Sequence, residues 1–429
     1  MEMIYRGVAE AEALFRRLEQ RAVMEEGAVY EAVREMVNRV RIQGDEALSQ
    51  YTLEFDGTDY ERFPIRVGEE ELERAYEAVT PEQLAAIRKA IVNLKEYHIN
   101  QRETGYRVEK DGVLLAQRVL PIRRVGIYVP GGTASYPSSV LMNAIPAKIA
   151  GVKELYMATP AKGGRMNPLT LVAAQEAGVN GIFRMGGAQA IAAFAYGTAS
   201  VPRVDKITGP GNAYVAMAKR LVFGAVGIDS IAGPSEIMVI ADGSANPRHV
   251  AADLYSQAEH DRLAAAVCLT WDDGLAERVH RELERQAGEL ERQEMAAASL
   301  AEYGGVVVLN SLLECCEFCN RMGPEHLELV LDNPQEALEM IENAGGIFLG
   351  GYTPEPLGDY LAGTNHVLPT CGTSRFSSPL GVYDFVKRSS VLCYNKERLR
   401  EVKDDILAFA QAEGLQAHGR AVAVRFEEE

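Results

Sequence analysis

The sequence predicts an α/β protein with two parallel β-sheets. Short apolar runs alternate with helix-like stretches in two successive blocks, and such alternation is typical of parallel strands joined by crossover helices. The 429 residues allow about three domains at roughly 150 residues per domain. With 47% apolar and 24% charged residues, the composition is ordinary for a globular protein with full cores.

The N-terminal segment, residues 1–122, is predicted to contain helices followed by a β-hairpin. Thr80-Pro81-Glu82-Gln83 has the pattern of a capping box with proline at the first helical position, which predicts a helix running toward Tyr97. Two strand-like runs between residues 107 and 120 flank a Lys110-Asp111-Gly112 turn. We expect this segment to pack on the second α/β unit.

The two blocks of alternation predict two domains of similar size, residues 123–235 and 236–375. The strands of the first are VGIYVP, ELYMATP, GIFRM and KITGPG, with helices near 134–151, 166–177 and 187–198 and after Asn212. The strands of the second are EIMVIAD, AAVCLTW, GGVVVLN, HLELVL and GIFLGG, with helices capped at Asn246-Pro247 and Asn333-Pro334. Both patterns are Rossmann-like.

The last segment, residues 376–429, is predicted to be a small helical arm. Its helix carries one apolar face and ends at Gly414; the face consists of Leu399, Val402, Ile406 and Phe409. A short strand, AVAVRF, is expected to follow.

Charge and cysteine content exclude several classes of protein. Lys and Arg number 44 against 61 Asp and Glu, so the net charge of −17 argues against nucleic acid or an anionic membrane as partner. The sequence has no apolar run of about 18 residues and no signal peptide, so we expect a cytoplasmic protein. Six cysteines, including the lone Cys316–Cys319 pair on a predicted helix, indicate reduced thiols rather than a disulfide framework.

Three glycine-rich turns follow predicted strands, although no GxGxxG fingerprint is present. They are Pro130-Gly131-Gly132, Gly186-Gly187-Ala188-Gln189 and Gly209-Pro210-Gly211-Asn212. Each precedes a helix, so its amide groups could bind an anion such as pyrophosphate. A single such turn is equally well explained as ordinary turn chemistry, but three at the carboxyl ends of strands favour a nucleotide site.

A set of nitrogen and oxygen donors is compatible with a zinc site. Gln257 and His260 lie three residues apart on one helix face, and Asp359 and His418 could add a carboxylate and a second imidazole. The spacing alone does not establish a metal site, because the donors are dispersed and Asp359 and His418 could equally be a surface aspartate and a satisfied histidine. Glu325 and His326 stand together at a loop-to-strand junction.

Nine motifs, in this order, closely resemble those of the histidinol dehydrogenase family: GIYVPGG, RMGGAQAIAAFAYGT, DKITGPGN, AGPSEIM, DLYSQAEHD, GPEHLEL, LGDYLAGTNHVLPT, RFSSPLGVYDF and EGLQAHGRAV. The resemblance extends over nearly the whole chain from about residue 20. It implies an enzyme that oxidises L-histidinol through L-histidinal to L-histidine, the last step of histidine biosynthesis. Each of the two steps would pass a hydride to NAD.

The resemblance also implies a metal centre shared between two subunits. One zinc ion per subunit would be bound by Gln257, His260, Asp359 and His418. His418 would come from the partner subunit of a homodimer.

Further roles are implied for the residues around that centre. His326 would act as general base and Glu325 would activate water. The substrate would contact Ser235, His326, Glu413 and the metal ligands. NAD would contact Tyr128, Gln189 and Asn212, one at each glycine-rich turn.

Two positions depart from the family pattern, Thr364 and Cys371, and neither is an implied ligand. A related zinc and NAD dehydrogenase acting on another amino or sulfonated alcohol is the main alternative. Retention of Ser235, Glu413 and EGLQAH favours histidinol. A zinc hydrolase would leave the glycine-rich turns unexplained, and an inactive homologue is disfavoured by the intact Glu325-His326 pair.

Overall fold

A computed structural model describes residues 3–21, 26–131 and 136–427. The chain forms two compact units, one of residues 1–101 and 122–385 and the other of residues 102–121 and 386–429. The first unit contains two parallel sheets flanked by helices, which confirms the predicted α/β class.

The N-terminal elements are β1 (Ile4–Arg6), α1 (Gly7–Arg21), α2 (Glu26–Gln43), α3 (Asp45–Asp56), α4 (Glu69–Ala78) and α5 (Pro81–His98), followed by β2 (Arg107–Lys110) and β3 (Val113–Pro121). Helix α5 begins with the predicted capping box, in which the Thr80 hydroxyl accepts from Gln83 N at 3.2 Å and Gln83 Oε1 accepts from Thr80 N at 3.0 Å. This reciprocal pair satisfies two amides that the helix itself leaves free.

The first sheet contains β4 (Arg124–Tyr128), β5 (Glu154–Thr159), β6 (Gly181–Arg184), β7 (Lys206–Thr208) and β8 (Gly227–Ile228), with helices α6 (Pro137–Ala150), α7 (Pro168–Glu176), α8 (Gly187–Tyr196) and α9 (Ala213–Val222). Its strand order is β6-β5-β4-β7-β8, all parallel. The order changes direction between β4 and β7, as in Rossmann folds.

The second sheet contains β9 (Glu236–Ala241), β10 (Ala265–Thr270), β11 (Gly304–Val308), β12 (His326–Val330) and β13 (Gly346–Leu349), with helices α10 (Pro247–Ala258), α11 (Asp273–Gln286), α12 (Gln293–Tyr303), α13 (Leu312–Met322), α14 (Pro334–Met340) and α15 (Glu355–Tyr360). Its order, β1-β11-β10-β9-β12-β13, repeats the Rossmann pattern with β1 added at one edge. The direction changes between β9 and β12.

The N-terminal helices divide between the two sheets rather than packing on the second one as expected. Helix α1 contributes Leu14 and Phe15 to the core of the second sheet, and β1 pairs with β11. Helices α2 to α5 instead pack with the helices of the first sheet, where α2 contacts α8 and α5 contacts α6. A helix with one apolar face does not specify which sheet it covers, so the sequence pattern could not decide between them.

The second unit combines the predicted hairpin with the C-terminal segment. Strand β14 (Val386–Tyr394) pairs antiparallel with β3, and α16 (Lys396–Glu401), α17 (Lys403–Ala412) and α18 (Gln416–Ala423) follow. The single amphipathic helix that we expected is interrupted at Val402. The predicted AVAVRF strand is wrong, because these residues complete α18 and a 3₁₀ turn, Val424–Phe426. Among the described residues, no helix combines the length and apolarity needed to cross a membrane.

Candidate active site

Glu325 and His326 lie where β12 begins, at the point where the strand order of the second sheet changes direction. His326 is in register with Ile237 of the neighbouring strand β9, and both site residues are buried. The predicted loop-to-strand junction is therefore confirmed. The pair lies at the amino end of the strand, whereas open α/β sheets commonly bind ligands at their carboxyl ends.

The backbone of Glu236 orients both side chains. Its amide donates to Glu325 Oε2 at 3.0 Å, and its carbonyl accepts from His326 Nδ1 at 2.9 Å. Because a carbonyl only accepts, Nδ1 carries the proton and Nε2 keeps its lone pair. Burial lowers the pKa of His326 to about 4, so the ring is neutral at neutral pH. It has the state and orientation of a general base.

Glu325 is buried close to several other carboxyl groups. Burial raises the pKa of its carboxyl well above the ordinary value, and the nearby carboxylates of Glu236, Asp359 and Glu355 add to the rise. The hydrogen bond from the amide of Glu236 opposes it. A cation bound in this region would offset the repulsion among these groups.

Glu236 is anchored by a buried ion pair that sequence reasoning missed. Its carboxylate pairs with Arg21, the last residue of α1, and accepts from Cys371 N at 3.2 Å. The other arm of the guanidinium donates to Leu263 O at 2.8 Å. The partners in these contacts are more than 100 residues apart in the chain, so no local pattern joins them. The one sequence feature that could have indicated the ion pair is Glu236 itself, an acidic residue at the start of an otherwise apolar strand.

A second missed residue, Glu355, joins His326 and Asp359 in a compact cluster. One potential metal-ligating atom from each of the three residues lies within 4.8 Å of the others. Among the His, Cys, Asp and Glu side chains of the described residues, these three form the group close enough together to hold a metal ion. Burial and the neighbouring Asp359 raise the pKa of Glu355 to about 9. Glu355 and Asp359 are four apart in α15, so helical spacing could have paired them.

Asp359 is the acidic member that stays ionised. Burial disfavours its charge, but the hydrogen bond and charge of His366 outweigh this and lower the pKa of Asp359 to about 2. His366 Nδ1 lies 3.3 Å from Asp359 Oδ1, and its Nε2 lies 3.3 Å from Ser139 Oγ. His366, whose role the sequence left undefined, thus orients a predicted metal ligand.

The helix α10 brings Gln257 and His260 to the same region. Gln257 is 1% exposed, and its Oε1 has no hydrogen-bond partner. His260 is exposed in the turn after the helix, and an electrostatic interaction with it is one of the smaller causes of the low pKa of His326. A buried unpartnered amide oxygen, an ionised carboxylate and imidazoles suit a zinc ion.

The other predicted residues are distributed between the two units. Ser235 directly precedes β9, and its carbonyl accepts from Ala265 N at 2.9 Å. Glu413 and His418 lie in the second unit, at the end of α17 and in α18, and both are exposed. The described first unit therefore contains Gln257, His260 and Asp359 of the predicted ligands, and the second contains His418.

A cavity of about 460 Å³ opens beside the cluster in the first unit. His326, Asp359 and His366 form its polar wall, and Phe348 and Tyr383 contribute aromatic surface. Its size and mixed lining suit a small polar molecule that carries an aromatic ring.

The first sheet carries the predicted nucleotide residues at its carboxyl edge. The hydroxyl of Tyr128, at the end of β4, accepts from Gly187 N at 3.1 Å, and burial raises the pKa of Tyr128 to about 12. Gln189 lies in the first turn of α8, 1% exposed, and its Nε2 has no partner. Asn212 is exposed and caps α9 by accepting from Val215 N at 3.2 Å.

The glycine-rich turns offer fewer free amides than the sequence suggested. Gly186 N donates to Asp56, Gly187 N to Tyr128, and Gly209 N to Asp229 at 2.7 Å. These three amides are therefore not available to a pyrophosphate group. Gly132 of the first turn lies outside the described residues.

Comparison with known proteins identifies the family. The profile of histidinol dehydrogenase matches residues 19–426. The chain belongs to the histidinol dehydrogenase family. Histidinol dehydrogenase of Geobacter sulfurreducens is 55% identical over 399 residues, which cover 92% of this chain and 93% of that protein. Histidinol dehydrogenase of Bacillus cereus is 51% identical over 430 residues, and the matched region covers 100% of this chain and 100% of that protein.

A solved structure of the family has the same fold. The crystal structure of histidinol dehydrogenase from Elizabethkingia anophelis superposes with a TM-score of 0.92 at 37% identity and covers 99% of this chain and 98% of that one. Membership of the histidinol dehydrogenase family thus rests on sequence and fold along nearly the entire chain.

Proposed function

We propose that this protein oxidises L-histidinol through L-histidinal to L-histidine, the last step of histidine biosynthesis, in the cytoplasm, and that two NAD are reduced per substrate. The observation that carries this function is the buried Glu325-His326 pair, which the backbone of Glu236 holds beside donors suited to a cation. The family membership agrees with it. In this scheme the first sheet binds NAD and the second sheet carries the catalytic residues.

Gln257, His260 and Asp359, with His418 of the partner subunit, would hold one zinc ion per subunit of a homodimer. The ion, when bound, polarises substrate oxygen and fixes its position. The unpartnered Gln257 Oε1 and the ionised Asp359 support this donor set. Glu355 would orient Asp359 through their hydrogen bond, as outer residues do for metal ligands.

In the first oxidation, His326 Nε2 takes the proton of the alcohol hydroxyl. The C–H electron pair leaves as hydride and the C–O bond becomes a carbonyl, with NAD as the hydride acceptor. In the second, water must add to the aldehyde, because an aldehyde has no hydroxyl to deprotonate. Glu325 takes a proton of that water while His326 returns the first proton to the carbonyl oxygen, which completes the hydrate. His326, neutral again, then takes a hydroxyl proton of the hydrate as the second hydride leaves.

Substrate and cofactor contacts complete the proposal. Ser235 and Glu413 would bind the polar groups of histidinol together with His326 and the metal ligands. Tyr128, Gln189 and Asn212 would contact NAD, and the buried unpartnered Gln189 Nε2 supports this.

The direct test measures NADH formation from L-histidinol by the zinc-loaded protein. We expect activity with L-histidinol, its loss after chelation with loss of one zinc per subunit, and its recovery when zinc is restored. Faster oxidation of another amino or sulfonated alcohol would favour the alternative substrate. Full activity in fully metal-free protein would contradict the zinc assignment.

A further inference from the structure

Asp56, at the end of α3, is a partly buried acidic residue at the proposed nucleotide edge of the first sheet, and the proposed function gives it no role. Its carboxylate accepts from the amide of Gly186, directly after β6. Its second oxygen, Oδ2, is buried and has no hydrogen-bond partner. A Cβ built on Gly186 would lie 3.1 Å from Oδ2, so the carboxylate lies directly against this turn.

Two more unpartnered polar atoms lie at the same edge. Gln189 Nε2 is three residues beyond Gly186, and Thr208 Oγ1 is at the end of β7, next to the point where the strand order changes direction. An acceptor, a donor and a hydroxyl, all buried without partners, would each be costly unless a ligand satisfied them. Their combination fits a ligand that carries both hydroxyl groups and acceptors.

We propose that Asp56 accepts the hydroxyl groups of the adenosine ribose of NAD and thereby selects NAD over NADP. This inference rests on the proposed function. In Rossmann folds an acidic residue about 20 positions after the glycine fingerprint binds the ribose 2′-hydroxyl. Here the fingerprint is absent, and a carboxylate from helix α3 occupies the edge instead.

The position of Asp56 assigns it to the adenosine half. Strand β6 lies two strands from β4, about 10 Å at ordinary strand spacing, and so away from the change in strand order at β4 and β7. The amide of Gly186 already donates to the Asp56 carboxylate, so we do not expect this turn to bind a phosphate group of the cofactor. A 2′-phosphate would instead meet the carboxylate, and the like charges would repel.

The stability cost of Asp56 agrees with a binding role. Burial raises the pKa of the Asp56 carboxyl to about 6, above its value in the unfolded chain. Protonated Asp56 therefore stabilises the folded state. This contribution to the free energy of unfolding is lost as the pH rises from about 4 through 6. At pH 8 the buried carboxylate therefore destabilises the protein without cofactor. Asp56→Asn keeps an acceptor for Gly186 and removes this cost.

The test compares Asp56→Asn with Asp59→Asn in the zinc-loaded protein. Asp59 is an acidic residue of the same segment, and its carboxylate accepts from Glu61 N at 2.9 Å within its own loop. Titrations follow NADH and NADPH by fluorescence, and ADP-ribose and 2′-phospho-ADP-ribose by calorimetry, without substrate. We expect Asp56→Asn to weaken NADH and ADP-ribose roughly tenfold to a hundredfold and to reduce discrimination against the 2′-phosphate. Asp59→Asn should bind as the wild type does.

Thermal unfolding at pH 8 provides the second measurement, and Asp56→Asn should unfold at or above the wild-type temperature. A less stable Asp56→Asn protein would indicate a structural role and overturn the proposal. So would wild-type NADH affinity and unchanged discrimination in Asp56→Asn. Wild-type protein that bound neither NADH nor ADP-ribose would instead refute the proposed NAD function.

Discussion

At the scale of single residues, the backbone of Glu236 orients two neighbouring side chains, Glu325 and His326. The carbonyl of Glu236 keeps the proton of His326 on Nδ1, and its amide holds Glu325. The two side chains can therefore serve different proton transfers without exchanging places. The first oxidation needs a base for a hydroxyl proton, and the second needs water as well.

This division predicts different effects of two substitutions. Glu325→Gln should slow aldehyde oxidation by roughly 10²- to 10⁴-fold and alcohol oxidation far less, since Gln keeps an acceptor for the amide of Glu236. His326→Asn should slow both steps. The measurements are steady-state oxidation of L-histidinal and single-turnover hydride transfer from L-histidinol. Equal losses in both steps for Glu325→Gln would leave Glu325 as a positioning residue.

The ion pair between Arg21 and Glu236 predicts that a substitution outside the proposed catalytic pair lowers activity. Arg21→Met leaves the Glu236 carboxylate buried without its cation, beside Glu325. We expect kcat to fall roughly tenfold to a hundredfold with little change in KM or zinc content. Arg17→Met is the control, because Arg17 lies on the same helix and contacts the Tyr5 hydroxyl at the surface. Unchanged kcat in Arg21→Met would show that the pair does not position the site.

The sequence predicted that Glu325 and His326 stand together at a strand start, and the structure explains why it did not predict their neighbours. Glu325 and His326 are adjacent and stand at a strand start, so local pattern was sufficient. Glu236, Glu355 and Asp56 stand out only by their burial or by their contacts with residues distant in the chain, and neither property is visible before folding. The resemblance to the family supplied the ligand set, which no spacing rule would have assembled.

At the scale of elements, tight packing sets where α8 crosses the first sheet. Phe194 of α8 is fully buried and lies over Gly126 of β4, where a Cβ would lie 2.7 Å from its ring. A glycine in a central strand is thus required for close approach of the helix. The strands and most helices were predictable because buried strands read as apolar runs. The C-terminal AVAVRF was not, because a short run of alanine and valine is compatible with either element.

Removal of the Phe194 ring should destabilise the folded protein. Phe194→Ala should lower the free energy of unfolding by about 3–5 kcal/mol, through lost apolar burial and the cavity left behind. Phe223→Ala is the matched control, since Phe223 is 68% exposed and its loss should change stability by less than about 0.5 kcal/mol. Urea unfolding of both variants measures the difference. Similar losses in the two variants would contradict the packing described for α8.

At the scale of the whole molecule, the predicted metal ligands divide between the two compact units. Gln257, His260 and Asp359 belong to the first, and His418 belongs to the second, where it is exposed. The sequence could place His418 on a C-terminal arm, but its pattern could not show which subunit's metal site His418 would complete. In the proposed homodimer, each arm would complete the partner's site.

Such sharing predicts complementation between two inactive variants. Subunits with His260→Ala and subunits with His418→Ala should each lose zinc and activity. Mixed dimers should recover part of the activity, because one of their two sites contains neither substitution. Dimers of each variant alone are the controls. Verified mixed dimers that remain as inactive as these controls would contradict the shared site.

The yield of NADH per L-histidinol consumed tests the central claim most directly, that one site performs both oxidations. With limiting L-histidinol and excess NAD, we expect two NADH for each substrate molecule and little free L-histidinal. An aldehyde released between the steps would react with amines and thiols, so its retention protects the intermediate. A yield of one NADH, with L-histidinal accumulating in solution, would contradict the account.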